Sequence, residues 1–421
     1  MNKELSVRLY GEEIGILRQT DTGDMVFSYN ESNKVAISQS LPLAQKQFSH
    51  KECAAFFGGF LPESEVARKA LSKMYHISAN NDFSLLVAIG GDVAGALSFV
   101  PTDTPIVKQE FLKLEGESLT DEEWIKFIED LPIRPLGNSP DNARRLSLAG
   151  AQDKTSVIYQ DGKILQNRPG TPSTHLLKTS ISGLKHSVLN EYICMKTASS
   201  FLKVPACFVY RIGDLAVLLV ERYDREMKEG QVKRIHQEDF CQALNVLSKN
   251  KYQAEGGPNL RQCFDLLACT KTPATERLEM AKIVMFNFLI GNNDAHAKNF
   301  SLLYDNEAPS LAPAYDLLST QIYGKAVETK MAMKIASYND REWVNRDSWQ
   351  NFCTQVGISY PWFQKTFIQM ARELPKAMEA VISHEKGLGS LSKDEEAFAF
   401  ELLALCEKNA EQLIARLGNA A

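Results

Sequence analysis

The chain has 421 residues, of which 44% are hydrophobic and 24% charged, a balance that excludes wholesale disorder, a collagen-like polymer and a disulfide miniprotein. At roughly 100–200 residues per domain, this length predicts two or three domains with ample core. The formal net charge of -5 argues against a broad basic face that holds nucleic acid directly and leaves room only for a local basic patch.

In chain order, short alternating stretches come first: Val7 and Leu9, then Ile14 and Ile16, with Gly11-Glu12-Glu13 between them. Their period of two predicts an antiparallel β start. A helix is expected after Pro62-Glu63, with Val66, Ala70, Leu71 and Met74 on one face. Gly90-Gly91-Asp92 reads as a turn, Ala94 to Val100 as a strand, and Pro101 to Pro105 as the end of an N-terminal module. A second break is Leu136 to Asp141, dense in turn formers. Strands are then expected at Ser156–Tyr159, His175–Lys178 and Leu215–Val220, with a helix over Val188–Leu202. From Gln237 onward helices dominate, at Gln237–Leu247, Leu260–Cys269 and Glu276–Ile290, and Asp394–Leu417 closes the chain as an amphipathic helix. This β-first, helix-later order predicts an α+β architecture of two lobes, the kind that places its site in the cleft between them.

The eight cysteines (Cys53, Cys194, Cys207, Cys241, Cys263, Cys269, Cys353 and Cys406) are scattered, with no CxxC pair. The pattern is that of free thiols in a reducing cytoplasm rather than of a zinc site or a disulfide framework. The first residues, MNKELSVRLYGEE, have no apolar h-region and are not read as a signal peptide. The longest aliphatic runs, such as Leu215 to Val220, fall far short of the roughly 18 residues of a membrane span. The expectation is a cytoplasmic soluble protein.

The segment Phe288 to Phe300, FLIGNNDAHAKNF, carries the densest chemistry. A long apolar helix ends at Gly291, and Asp294, His296, Lys298 and Asn299 follow at once, before an apolar strand, Phe300–Tyr304. Asp294 and Asn299 have the D-x-x-x-x-N spacing of kinase catalytic loops, where the Asp accepts the proton of the attacking hydroxyl and the Asn holds a metal ion. Asp316 comes 17 residues after Asn299, in P-A-Y-D, where a kinase carries its Mg²⁺-binding aspartate. Turn formation and helix capping explain such residues equally well one at a time. Their order after a buried helix is the rarer feature.

Upstream, Lys178 ends the strand H-L-L-K, as a phosphate-binding lysine does, and Glu191 follows in a helical stretch as a candidate partner. Leu146 to Lys154, LSLAGAQDK, is rich in small residues and precedes a strand, so its backbone N–H groups suit a phosphate. Ser147 beside Arg144 and Arg145 is a candidate phosphate acceptor stabilised by those cations. The strand ending in V-E-R-Y-D-R (Val220 to Arg225) has the form of an adenine-binding hinge.

Taken together, S-L-A-G-A-Q-D-K, T-H-L-L-K, N-E-Y, V-E-R-Y-D-R, H-Q-E-D-F-C-Q-A-L, G-N-N-D-A-H-A-K-N-F and P-A-Y-D resemble the HipA family, the kinase toxins of bacterial HipBA type II toxin–antitoxin modules. The match is dense from about Arg144 to Ser319 and extends more loosely over the chain, with V-R-L-Y-G-E-E-I-G and S-L-P-L suiting the family's N-terminal domain. The resemblance implies a two-lobed, protein-kinase-like α+β fold, divided as a β-rich N-terminal domain over 1–105, the rest of the N-lobe over 106–225 and a helical C-lobe over 226–421. It implies an ATP- and Mg²⁺-dependent serine/threonine kinase. Asp294 would be the catalytic base, and Asn299 and Asp316 the Mg²⁺ ligands. Lys178 would contact phosphates, and Ala149, Gly150, Ala151, Gln152, Asp153 and Lys154 would form the phosphate loop. Glu221, Arg222 and Tyr223 would lie at the hinge, and His296, Ala297, Lys298 and Tyr315 would complete the nucleotide pocket. Ser147 matches the serine that family members autophosphorylate, which ejects the phosphate loop and switches the kinase off.

The resemblance further implies a protein substrate, by default glutamyl-tRNA synthetase, whose phosphorylation halts translation and induces dormancy and persistence. It implies a partner, the helix-turn-helix antitoxin HipB, with which the kinase represses its own operon. Ala336–Pro361 departs from the family pattern and shows no basic patch for DNA, in keeping with DNA binding delegated to the antitoxin. Two other readings stand beside this one. One is a small-molecule phosphotransferase that shares the D-x-x-x-x-N logic. The other is a catalytically idle co-repressor that binds HipB.

Overall fold

The structure, a computed structural model, describes residues 3–106, 111–140, 144–305 and 308–418; Asp141, which closes the predicted break, lies outside them. The chain forms two compact units, each assembled from separated segments. The first comprises Met1–Thr179, Tyr210–Asn250 and Ser301–Glu307, and the second Ser180–Val209, Lys251–Phe300 and Ala308–Ala421.

The first unit opens with strands β1 (Glu4–Leu9), β2 (Glu12–Gln19), β3 (Met25–Tyr29) and β4 (Gln47–Phe48), followed by helices α1 (His50–Gly58), α2 (Glu65–Tyr75) and α3 (Asp82–Ile89) and strand β5 (Leu97–Pro101). The strands form an antiparallel sheet of order β4-β3-β2-β1-β5. Alternate residues of β3 are buried, as a half-buried strand requires. They feed an aromatic core in which Phe27 meets Phe57 edge to face, with ring centres 5.3 Å apart, and Phe57 meets Phe99 at 5.6 Å. Further along are β6 (Phe111–Lys113), β7 (Gly116–Glu117), α4 (Asp121–Glu129), β8 (Lys154–Gln160), β9 (Lys163–Asn167) and β10 (His175–Lys178). The chain then supplies α5 (Ser187–Ala198) to the second unit. It goes on to β11 (Cys207–Ile212), β12 (Leu215–Glu221), β13 (Arg225–Lys228), β14 (Gln231–Arg234), β15 (His236–Asp239) and the one-turn α6 (Phe240–Ala243). A six-stranded sheet has the order β11-β12-β10-β8-β9-β7 and a smaller one the order β13-β14-β6. The second unit is helical: α5, α7 (Leu260–Leu266), α8 (Pro273–Ile290), α9 (Arg346–Val356), α10 (Tyr360–Gly387) and α11 (Lys393–Gly418). Helix α8 is buried at every position from Met280 to Ile290 except Lys282, the mark of a central helix, and α10 and α11 pack on it.

Three local expectations are corrected. The strand expected from Ala94 begins only at Leu97, because Gly95 takes φ +79° and gives its N–H to Asp224 Oδ2 at 2.6 Å. Gln237–Leu247 is not one helix. His236–Asp239 pairs antiparallel with β16 (Ser301–Tyr304), and the helix spans only Phe240–Ala243. Burial at His236 and Glu238 has a period of two, and a strand partner from far along the chain overrides local helical periodicity. Val66, expected on the buried face of α2, is exposed, and Leu71 is the buried residue of that helix. All eight cysteines are free thiols; Cys269 is half-buried and the others are buried. Among the described residues, no helix is long and apolar enough to cross a membrane.

Candidate active site

In the second unit, the site is set by how α8 ends. Gly291 caps it with φ +72°, a left-handed conformation that glycine adopts without strain, and a Cβ here would meet the Gln321 side chain at 2.4 Å. The chain reverses into Asn292 to Asn299. Buried Asn292 is the hub of this loop. Its Nδ2 donates to Asn287 Oδ1 at 2.8 Å and to the Asp316 carbonyl at 3.3 Å, and its Oδ1 accepts the Asp294 N–H at 3.1 Å. Asn299 Nδ2 donates to the Asp294 carbonyl at 3.1 Å, which leaves the amide oxygen as its ligating end. Tyr315 donates its hydroxyl to the Lys298 carbonyl at 2.7 Å. One hydrogen-bonded network therefore brings together Asp294, Asn299 and Asp316. Asp316 has φ +53°, uncommon for a residue with a side chain and frequent at functional sites. His296, Ala297 and Lys298 are buried around the turn. The loop is tied further by Asn293, whose N–H donates to Thr320 Oγ1 at 2.8 Å and whose Nδ2 donates to the Thr329 carbonyl at 3.0 Å.

Two residues of this site are not singled out by sequence reasoning. Asn292 stands in the G-N-N-D run, where a second Asn carries no distinguishing spacing. Tyr252, which donates its hydroxyl to Asp294 Oδ1 at 2.8 Å, is remote in sequence, and only its place in K-Y-Q-A-E-G-G-P, an aromatic before a glycine turn, sets it apart.

In the first unit, buried Lys178 on β10 lies directly opposite Lys154 on β8. Cross-strand neighbours share a face of the sheet, so the two lysines lie side by side on it. The loop before β8 reaches the same place: a Cβ on Gly150, which has φ +111°, would lie 2.5 Å from Lys154 Nζ. Gln152 Nε2 donates to the Thr179 carbonyl at 2.6 Å, and the Thr179 N–H donates to the Asp153 carbonyl at 3.2 Å, so this loop is fastened to the end of the lysine strand. Ala149 is half-buried and Ala151 exposed.

Ser147 has 0% exposure; its hydroxyl donates to the Phe60 carbonyl at 2.8 Å and its N–H to the Asp92 carbonyl at 2.8 Å. The two arginines beside it are engaged elsewhere. Arg144 binds the Ser156 carbonyl at 2.8 Å and Asn167 Oδ1 at 3.1 Å, and Arg145 binds the Val87 carbonyl at 2.6 Å, at the end of α3, and the Phe99 carbonyl at 3.0 Å. Both guanidinium groups thus hold main-chain carbonyls of neighbouring segments.

At the expected hinge, Glu221 is exposed at the end of β12 and Tyr223 is half-buried, its hydroxyl donating to Gln237 Oε1. Arg222 departs from the expectation. Its Nε and Nη2 bind the two Asp224 oxygens at 2.9 and 2.7 Å, its Nη1 binds Ser173, and its N–H donates to the Thr174 carbonyl. These contacts commit Arg222 to the fold rather than to a ligand. Burial alone would raise the Asp224 pKa, but the guanidinium groups of Arg222 and Arg225 outweigh it and hold that carboxyl well below its usual range. Glu191 is buried within α5 of the second unit.

The comparisons with known proteins span the chain. The model of the HipA-like C-terminal domain matches residues 146–381 and that of the HipA N-terminal domain residues 5–100. A protein of Sinorhizobium fredii that bears the name "Putative kinase Y4mE" is 38% identical over 393 residues, 91% of this chain and 93% of that protein. The serine/threonine-protein kinase toxin HipA of Shewanella oneidensis is 30% identical over 391 residues, 88% of this chain and 87% of that one. HipA in the solved Shewanella oneidensis MR-1 complex of HipA, HipB and operator DNA matches with a TM-score of 0.85 at 27% identity, over 98% of both chains. By class, then, this is a kinase. More narrowly, the chain belongs to the HipA family of toxin–antitoxin kinases.

Proposed function

We propose that the chain is the toxin of a HipBA-type module and transfers the γ-phosphoryl group of ATP to a serine or threonine of a protein. The supporting observation is the Asn292-centred network, which holds two aspartates and an asparagine together in the order a phosphoryl-transfer site uses. Asp294 accepts the proton of the attacking hydroxyl while that oxygen bonds to the γ-phosphorus and the bond to the β,γ-bridging oxygen breaks. Positioning and charge neutralisation supply most of the rate. Asn299 and Asp316 fit Mg²⁺: an amide and a carboxylate oxygen are hard donors, and so small a protein set suits an ion that keeps water and phosphate oxygens. Mg²⁺, when bound, offsets the charge of the phosphates.

Lys178 and Lys154 contact phosphates, and Ala149 to Asp153 cradle them through backbone N–H groups. Glu221 and Tyr223 serve the adenine, and His296, Ala297, Lys298 and Tyr315 serve the nucleotide from the second unit. The acceptor is a translation factor, by default glutamyl-tRNA synthetase, so that translation stops and dormancy follows. Phosphorylation of Ser147 inactivates the kinase. The buried setting of Ser147 supports a coupling between that modification and departure of the loop, since a phosphate dianion placed there would be taken out of water against the Phe60 carbonyl. The partner is a HipB-like helix-turn-helix protein that carries most of the operator contact, a reading favoured by the HipB-bound relative and by the net charge of -5.

The test is phosphopeptide mapping of dephosphorylated wild type and Asp294→Asn after incubation with Mg²⁺-ATP, alone and with a panel of purified aminoacyl-tRNA synthetases. Phosphate on Ser147 and on one synthetase, in the wild type only, is the expected result. ATP binding with no transfer to any protein overturns it, and phosphorylation of added sugars or aminoglycosides instead moves the activity to small molecules.

A further inference from the structure

Tyr252 lies on a turn just before α7, far in sequence from the catalytic loop, and its hydroxyl donates to Asp294 Oδ1 at 2.8 Å. Its ring meets that of His296 edge to face with centres 5.2 Å apart, and the Lys251 ammonium lies over the ring, 5.3 Å from its centre. The next residue anchors the turn: the Gln253 N–H donates to the Ala332 carbonyl at 3.1 Å, and Gln253 Oε1 accepts the Lys334 N–H at 2.7 Å. Ala332 in turn gives its N–H to the Asn293 carbonyl at 2.7 Å, and Asn293 precedes Asp294. A closed ring of contacts therefore runs from Asp294 through Tyr252, Gln253, Ala332 and Asn293 back to Asp294.

We infer that Tyr252 is a positioning residue for the proposed base: its hydroxyl fixes the rotation of the Asp294 carboxylate so that it meets an incoming acceptor hydroxyl in one orientation. The inference rests on the proposed kinase reading. A carboxylate on a single methylene rotates freely unless an oxygen is pinned, and a base must lie within hydrogen-bond reach of the proton it takes. The backbone hydrogen bonds of Asn292 and Asn299 fix where the Asp294 main chain lies. The Tyr252 hydroxyl acts on the carboxylate itself, and the ring through Gln253 and Ala332 keeps it there. Tyr252 touches no reacting atom in this scheme and acts through Asp294.

The experiment compares wild type, Asp294→Asn, Tyr252→Phe and Gln253→Ala in the full chain. The readouts are phosphate release from Mg²⁺-ATP, ³²P incorporation into the chain itself, and thermal melting. The expected result is a kcat about tenfold lower in Tyr252→Phe, with the KM for ATP within twofold of wild type and an unchanged melting temperature; Gln253→Ala shifts kcat in the same direction by a smaller factor. A Tyr252→Phe variant with wild-type kcat overturns the inference. So does one whose kcat rises, since the hydroxyl would then be an obstruction, and so does one that loses melting temperature and KM together, since the role would then be structural. An inactive wild type overturns the kinase reading and this inference with it. An active wild type with an inactive Asp294→Asn and an unaffected Tyr252→Phe overturns this inference alone.

Discussion

The carboxamide of Asn292 donates to the main-chain carbonyl of Asp316 at 3.3 Å, across 24 residues of sequence. The same side chain accepts the Asp294 N–H, so one buried amide sets the spacing of both aspartate backbones.

Asn292→Ala should therefore lower turnover without touching a ligand. The buried groups left unmatched cost about 1–3 kcal/mol, readable as a lower urea midpoint. The proposed kinase rate should fall at least tenfold beyond what the unfolded fraction explains. Full turnover in a variant that shows only the stability loss would reduce Asn292 to a structural role.

Ser147 gives a second expectation. Ser147→Ala removes one buried hydrogen bond, worth about 1 kcal/mol, and should keep transfer to other acceptors while abolishing the self-phosphopeptide. Ser147→Asp puts a buried carboxylate against the carbonyl of Phe60, an acceptor facing an acceptor. The loop should leave, which limited proteolysis would record as faster cleavage within 144–153, and ATP binding by calorimetry should weaken at least tenfold. Unchanged proteolysis together with unchanged ATP affinity would refute the coupling.

Glu238 predicts a pH dependence. Burial pushes its carboxyl up to about 7 from 4.5, against the opposing hydrogen bonds from Ser38, Tyr304 and the Gln39 N–H, with the Asp239 charge adding to the rise. Between those two values the unfolded chain has released a proton that the folded chain keeps, so stability is greatest below about 4.5 as far as this group is concerned and declines as pH rises to about 7. The difference corresponds to a loss of about 3 kcal/mol at most. Denaturant melts at pH 5 and pH 8 should show Glu238→Gln losing less stability than wild type across that interval. Equal losses in both proteins would assign the slope to other groups.

What was legible in the sequence follows from distance along the chain. Asp294 and Asn299 share one loop, and their fixed spacing is visible in the letters. The turn of Gly291 after an apolar run marks where that loop begins. Tyr252 and Asn292 act through partners that only the fold supplies, so no local pattern announces them. His236–Asp239 looks helical because its strand partner, Ser301–Tyr304, lies more than 60 residues away in sequence. Arg222 looks like part of a ligand-facing hinge because a buried ion pair with Asp224, two residues on, is indistinguishable in sequence from a charged strand end. The family resemblance carried the residue roles, and packing decided which of them the fold can spare.

The chain passes between its two units five times, at residues 179, 209, 250, 300 and 307. During synthesis, β15 must wait for β16 before it can pair, so the first unit is unfinished until about residue 304 has emerged. The end of α8 waits longer still, because Asn409 of α11 supplies the donor for the Leu289 carbonyl at 2.9 Å. A ribosome that stalls before about residue 304 thus releases a fragment in which neither unit is complete, open to proteolysis rather than able to fold as a domain. Threading ties the completed fold of each unit to segments supplied late in the chain.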